Sequence, residues 1–161
     1  MHFWAIGLAA LALAGCAAAP LPAPQPPRYH LIDLTQDYET FFDRSGNMDE
    51  PARVAAFKTD MAARFPGFYD SARIEGVAPE RYDGLIASSF HAFPELRPSY
   101  DRIRAAFTGM LDPALANFVE TFPDFADIGD IIFVHSVGEM DGGTRDINGK
   151  NYLVFGADVM A

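Results

Sequence analysis

The sequence predicts an α+β fold, with about five amphipathic helices packed on a small antiparallel β element at the C-terminus. Three observations carry that expectation. Apolar residues recur at three-and-four spacing in several stretches between residues 35 and 122. Two runs rich in β-branched and aromatic residues close the chain, Ile131 to Val137 and Asn151 to Met160. The link between them, Gly138 to Lys150, is acidic and glycine-rich, as a connection between strands should be.

Taken in order, His30 to Leu34 reads as a short strand or as the run-in to a helix. Thr35 is a fitting N-cap, with Tyr38, Phe41 and Phe42 on one face after it and Ser45-Gly46-Asn47 as the stop. Asp49-Glu50-Pro51 combines a cap residue, an acidic first turn and an early proline. Val54, Phe57, Met61 and Phe65 then repeat at helical spacing up to Pro66-Gly67. After a looser region through Gly76, a third helix is expected from Pro79 to about Ala92, with Tyr82, Leu85, Ile86, Ser89 and Phe90 inside. A fourth follows Pro98-Ser99, on Tyr100, Ile103, Phe107, Met110 and Leu111. Asp112-Pro113 restarts a fifth on Leu115, Phe118, Val119 and Phe122. Phe-Pro pairs at 65-66, 93-94 and 122-123 read as terminators, because proline disfavours a helical residue before it.

Composition narrows function. The 161 residues carry 22 acidic against 12 basic side chains, a net charge of −10, and only Lys58 and Lys150 are lysines. With no cationic cluster, the chain lacks what nucleic acid or an anionic membrane surface requires. One cysteine, Cys16, excludes a disulfide framework and a cysteine-based zinc cluster.

The N-terminus speaks to location. Phe3 to Ala14 is an uncharged apolar run of the length of a signal-peptide core, shorter than a bilayer span. Leu13-Ala14-Gly15-Cys16 resembles the bacterial lipobox, which implies cleavage after residue 15 and diacylglycerol on Cys16. Burial of acyl chains adds about 0.8 kcal/mol per methylene, so several chains anchor firmly. Residues 1–15 are thus expected to be a lipoprotein signal peptide, and 16–27, with five prolines, a lipidated cysteine and stiff tether. Residues 28–161 are expected to form one α+β domain. Ala17 after the cysteine implies, by resemblance to Gram-negative lipoproteins, the periplasmic face of the outer membrane.

Chemistry is sparsely marked. Pro94 between His91 and Glu95 is expected to break the helix that would align them. His135 with Glu139 and Asp141, or with Asp146, is the candidate cation site. One histidine with loop carboxylates is a thin ligand set, and strand periodicity puts His135 on the face of Ile131, Phe133 and Val137 as a half-buried core residue with its ring nitrogens hydrogen-bonded. Gly143 to Lys150 departs from a phosphate loop in spacing, lacks its Ser or Thr, and is followed by a strand. It also lacks the ligands of a calcium loop. Asn148-Gly149 reads as turn chemistry and Asp141-Gly142-Gly143 as a flexible bend. No nucleophile elbow is present.

The lipobox, the proline-rich tether, the aromatic helices with Phe-Pro ends, Gly142-Gly143-Thr144-Arg145 and Tyr152-Leu153-Val154-Phe155-Gly156-Ala157-Asp158 together resemble the N-terminal part of bacterial lipoproteins related to predicted zinc-dependent proteases. More distantly they are similar to the gliding-motility lipoprotein B group. The resemblance covers most of residues 28–161. It implies a strand at Tyr152 to Phe155 followed by a helix bearing His-Glu-x-x-His, a motif these residues do not contain. It therefore carries over no catalytic or metal residue, and implies zinc only if the chain continues. The apolar ending, Gly156 to Ala161, likewise leads us to expect a continuation. Two functions stay open: the N-terminal portion of a membrane-anchored zincin-like peptidase, inactive as given, or a complete non-enzymatic envelope lipoprotein with a binding or structural role. The expected partners are the membrane, through the lipid, and a protein or peptide of unknown identity.

Overall fold

The computed structural model describes residues 26–70 and 78–161, so the lipobox and nearly all of the tether lie outside the described residues. The described part is α+β, built on a four-stranded mixed sheet. The strands are β1 (Arg28–Asp33), β2 (Asp127–Val134), β3 (Gly142–Ile147) and β4 (Lys150–Gly156), in the order β1-β2-β4-β3. β1 and β4 both run parallel to β2, and β3 runs antiparallel to β4.

The expected small antiparallel pair is thus corrected in three respects. Its two runs are both real strands, but they lie parallel, Ile131 opposite Leu153 and Phe133 opposite Phe155. The connection between them contains a strand of its own, β3, which begins at Gly142, within the expected flexible bend. Residues 28–33 join the sheet from the far end of the chain, Arg28 pairing with Asp127. Asn148-Gly149 is the hairpin turn, with both residues at positive φ, 55° and 78°, as a two-residue type I′ connection demands.

Ile131, Ile132, Phe133 and Val134 have no exposed surface, because both faces of β2 are covered. Phe107 stacks on Phe133 at 4.1 Å on one face, with Leu111 and Leu115 packing around Ile131. On the other face Phe65 meets Tyr152 edge-on at 5.4 Å.

Helix α1 (Thr35–Arg44) begins at Thr35 itself, one residue earlier than an N-cap there would imply: Thr35 N and Oγ1 both donate to Asp33 Oδ1, at 2.9 and 2.6 Å. Helix α2 (Glu50–Arg64) is capped as expected, Asp49 accepting from Ala52 N at 2.9 Å. The expected third, fourth and fifth helices are one, α3 (Pro79–Thr121), 43 residues with Pro94, Pro98 and Pro113 inside. Each internal proline costs about 3 kcal/mol in lost hydrogen bonding and ring clash. Around Pro94 and Pro98 the compensation is visible: Phe90, Phe93 and Tyr100 are buried, Phe93 lying 4.9 Å from Tyr38 and 5.1 Å from Tyr100. Burying a large apolar side chain contributes about 2–3 kcal/mol, so packing on both sides of the prolines offsets their local preference. The other two Phe-Pro pairs do terminate helices, Phe65 and Phe122 being C-caps with non-helical ψ of 90° and 74°. A 3₁₀ turn (Pro123–Phe125) leads into β2, and a short helix α4 (Ala157–Met160) follows β4. No helix among the described residues is long and apolar enough to cross a membrane.

Candidate functional site

Three buried polar residues, His135, Ser136 and Asp158, converge just past the C-terminal end of β2, where the parallel strands deliver residues 135–140 beside the start of α4. His135 lies one residue beyond the strand, is fully buried, and stacks on Tyr38 with ring centroids 3.4 Å apart and planes 4° from parallel. Phe93 and Tyr100 complete its surroundings, each 5.7 Å from the imidazole. The expectation of a half-buried strand histidine is therefore corrected to a fully buried one outside the strand. Neither ring nitrogen has a hydrogen-bond partner among the described residues, and Nε2 stands 3.8 Å from Asp158 Oδ2.

Asp158 organises the loop. Its carboxylate accepts from Ser136 N and Gly138 N, both at 2.6 Å. Between these two amides sits Val137, at φ 56°, a left-handed conformation that costs a β-branched residue of order 1–3 kcal/mol and persists only where its surroundings impose it. Ser136 Oγ donates to Met140 O at 3.1 Å and accepts from Met140 N at 3.3 Å, closing the turn. Tyr69 donates its hydroxyl to His135 O at 3.0 Å, and Tyr82 donates to Tyr69 O at 2.9 Å. Val137 and Gly138, both at positive φ, turn the chain so that the amides of Ser136 and Gly138 meet the chain's own Asp158 carboxylate.

The candidate cation site, which the sequence marks only weakly, is not assembled among the described residues. Glu139 faces Arg145 at 3.9 Å, and Asp141 accepts from the amide of Gly142 at 2.7 Å. Asp146 accepts from Gly149 N at 2.9 Å in the hairpin turn. Among the described residues no group of three or more His, Cys, Asp or Glu side chains is placed to hold a metal ion. The expected break at Pro94 is corrected, since α3 runs on through it, while His91 is exposed and its imidazole pairs with Glu50 at 2.7 Å rather than with Glu95. Cys16 and the lipobox residues Leu13, Ala14 and Gly15 lie outside the described residues.

Sequence reasoning misses Asp158, Tyr38 and Tyr69 as members of this cluster. For Asp158 the available signal is an acidic residue two positions after Gly156, which suits the first turn of a helix. Its apolar neighbours up to Met160 favour a strand instead. A cavity of about 210 Å³ borders the cluster, lined by Ser88, Ser89, Ala92, Val137 and Asp158 among others. A second, of about 310 Å³, lies between the C-terminal half of α3 and the sheet, against Leu115, Phe118, Tyr152 and Leu153.

Burial pushes the His135 imidazole down from 6.5 to about 4, against a smaller opposing pull from Asp158. It is neutral at pH 7 and packs between Tyr38, Phe93 and Tyr100. Burial likewise raises Tyr38 and Tyr100, which stay protonated.

A pH dependence follows. Between pH 6.5 and about 4 the unfolded chain takes up a proton that the folded chain refuses. The contribution of His135 is thus complete above pH 6.5 and is lost as the pH falls toward 4, in total roughly 3 kcal/mol. Urea unfolding at pH 7.5 and 4.5 should show His135→Phe losing much less stability across this interval than the parent. Equal losses would mean that other groups carry the acid sensitivity.

No protein-family model matches the chain, and no curated protein or solved structure is significantly similar to it.

Proposed function

We propose that the chain is a lipid-anchored protein of the bacterial envelope whose domain forms the sheet scaffold of a zincin-like peptidase. The observation that carries this reading is that β4 runs straight into a helix at Ala157. In the lipoproteins that the segment from Tyr152 to Asp158 resembles, the helix after this strand bears the zinc-binding histidines and the water-activating glutamate. The 161 residues hold no His-Glu-x-x-His, so the proposal gives this chain the scaffold and no catalytic residue. The sheet supports the same reading. β3 stands at its edge with no further strand beside it among the described residues, and an edge of that kind takes up extended peptide through backbone hydrogen bonds.

Reading the gene past codon 161 tests the peptidase part: an in-frame His-Glu-x-x-His is expected. A stop codon at that point would sink it and leave the non-enzymatic envelope lipoprotein. The purified 161-residue chain is expected to hold no zinc. One equivalent of zinc would show that these residues themselves form a metal site.

The anchor is tested separately. Cys16→Ser should abolish palmitate labelling and release the protein from the membrane fraction, and labelling that persists would refute the lipobox assignment. On a density gradient the parent should travel with outer membranes, as Ala17 implies. Recovery with inner membranes would overturn the sorting.

A further inference from the structure

We propose that an aromatic face formed by Phe118, Phe122 and Phe125 docks on the surface of a zwitterionic phospholipid bilayer, the one to which Cys16 would be tethered. The inference rests on the lipoprotein reading and adds the surface with which the domain meets the membrane.

The three rings are 41%, 50% and 59% exposed, yet they gather on one another, with centroids 5.1, 6.1 and 6.5 Å apart. Phe118 and Phe122 are four residues apart near the end of α3, whose Leu111, Leu115 and Val119 are buried. Phe125 adds the third ring from the 3₁₀ turn. Contiguous apolar surface of this kind marks a site of association, whereas singly scattered exposed side chains do not.

Where the chain enters the domain selects the occupant. Arg28 N donates to Ala126 O at 2.8 Å, and Arg28 pairs with Asp127 at 3.3 Å, so the first residue of β1 is bonded to the residue after Phe125. The start of β1 therefore lies against the residue that follows Phe125. Eleven residues lie between Cys16 and Arg28, so the two are at most about 40 Å apart. A lipid on Cys16 thus keeps this end of the domain within reach of the bilayer.

Charge selects the lipid. Glu120 and Asp124, both exposed, neighbour the rings in the chain, Asp127 is already paired with Arg28, and the whole chain carries −10. An anionic surface is repelled by this excess of negative charge, and a zwitterionic one is not.

The test uses the chain exported and lipidated, which on this reading has lost Trp4, its one tryptophan, with the signal peptide, and carries Phe125→Trp as sole reporter. It is reconstituted into phosphatidylcholine vesicles with brominated acyl chains. The reporter at position 125 should shift to the blue and lose about half its emission relative to unbrominated vesicles. Adding Phe118→Ser and Phe122→Ser, or replacing most of the lipid with phosphatidylglycerol, should weaken that quenching. A Met48→Trp reporter, in the exposed loop between α1 and α2, should stay unquenched. A chain shown by mass to be lipidated, but quenched no more at 125 than at 48, overturns the docking while leaving the lipoprotein reading intact. A mass without acyl chains overturns both. A blue shift that depends on protein concentration and appears without vesicles overturns the membrane in favour of self-association.

Discussion

Asp158→Ala is expected to cost about 4 kcal/mol of folding stability. The carboxylate is the acceptor for the buried amide of Ser136, whose loss of an acceptor costs about 1–3 kcal/mol, and for the part-buried amide of Gly138, whose loss costs less because water can replace it. Val137 would also lose what holds it at φ 56°. Since a domain is stable by only about 5–15 kcal/mol, this is a large fraction of the whole. Asp158→Asn should recover about half of the loss, because the amide oxygen can accept from one of the two N–H groups while its NH₂ is a donor facing the other. Urea unfolding at neutral pH measures all three proteins. A loss below about 1 kcal/mol for the alanine variant would mean that the clamp on residues 136–138 contributes little.

Gly156→Ala is expected to destabilise the fold by more than about 3 kcal/mol, enough to lower the yield of folded protein at 37 °C. The reason is close approach rather than backbone freedom, since Gly156 has an ordinary φ of −98°. An added Cβ would fall inside the van der Waals shell of the Met140 carbonyl oxygen, and within 2.7 Å of Ser136 Oγ and 2.9 Å of Ser136 Cβ. None of these can yield easily: Ser136 Oγ donates to that same carbonyl, and Gly156 N donates to Asp141 O at 3.0 Å. Gly84→Ala is the matched control. It lies in α3, where an added methyl would meet nothing within 4 Å, and should stabilise the protein by about 0.5–1 kcal/mol through helix propensity. Thermal unfolding of the pair decides the point. Similar small shifts in both would show that the end of β4 can move away from the loop.

The two predictions fall on one structural knot, where β2 and β4 end side by side and the loop after β2 is gripped by the helix after β4. Little of it is legible in the sequence. Asp158 acts on amides 20 and 22 residues away, and which amides it meets depends on β2 and β4 lying parallel. A strand's apolar pattern says which face is buried and says nothing of its neighbour's direction, so Ile131 to Val134 and Tyr152 to Phe155 are readable as strands but not as parallel ones. The same holds for β1, whose partner is 99 residues along the chain.

Local signals succeed where the deciding interaction is itself local. The start of α2 depends on Asp49 accepting from Ala52, three residues on, and its end on Phe65 before Pro66-Gly67. The hairpin turn depends on two residues that tolerate positive φ, Asn148 and Gly149. In the same way the sequence by itself determined the α+β class. What only the tertiary structure decided was the unity of α3, the mixed sheet, the sealing of His135 against Tyr38, and the clamp by Asp158. In each of these a distant part of the chain supplies the burial or the hydrogen bonds that outweigh a local preference. Phe93-Pro94 shows the contrast most directly: the dipeptide that ends a helix at 65-66 and 122-123 is carried through at 93-94, because there the ring is buried between Tyr38 and Tyr100.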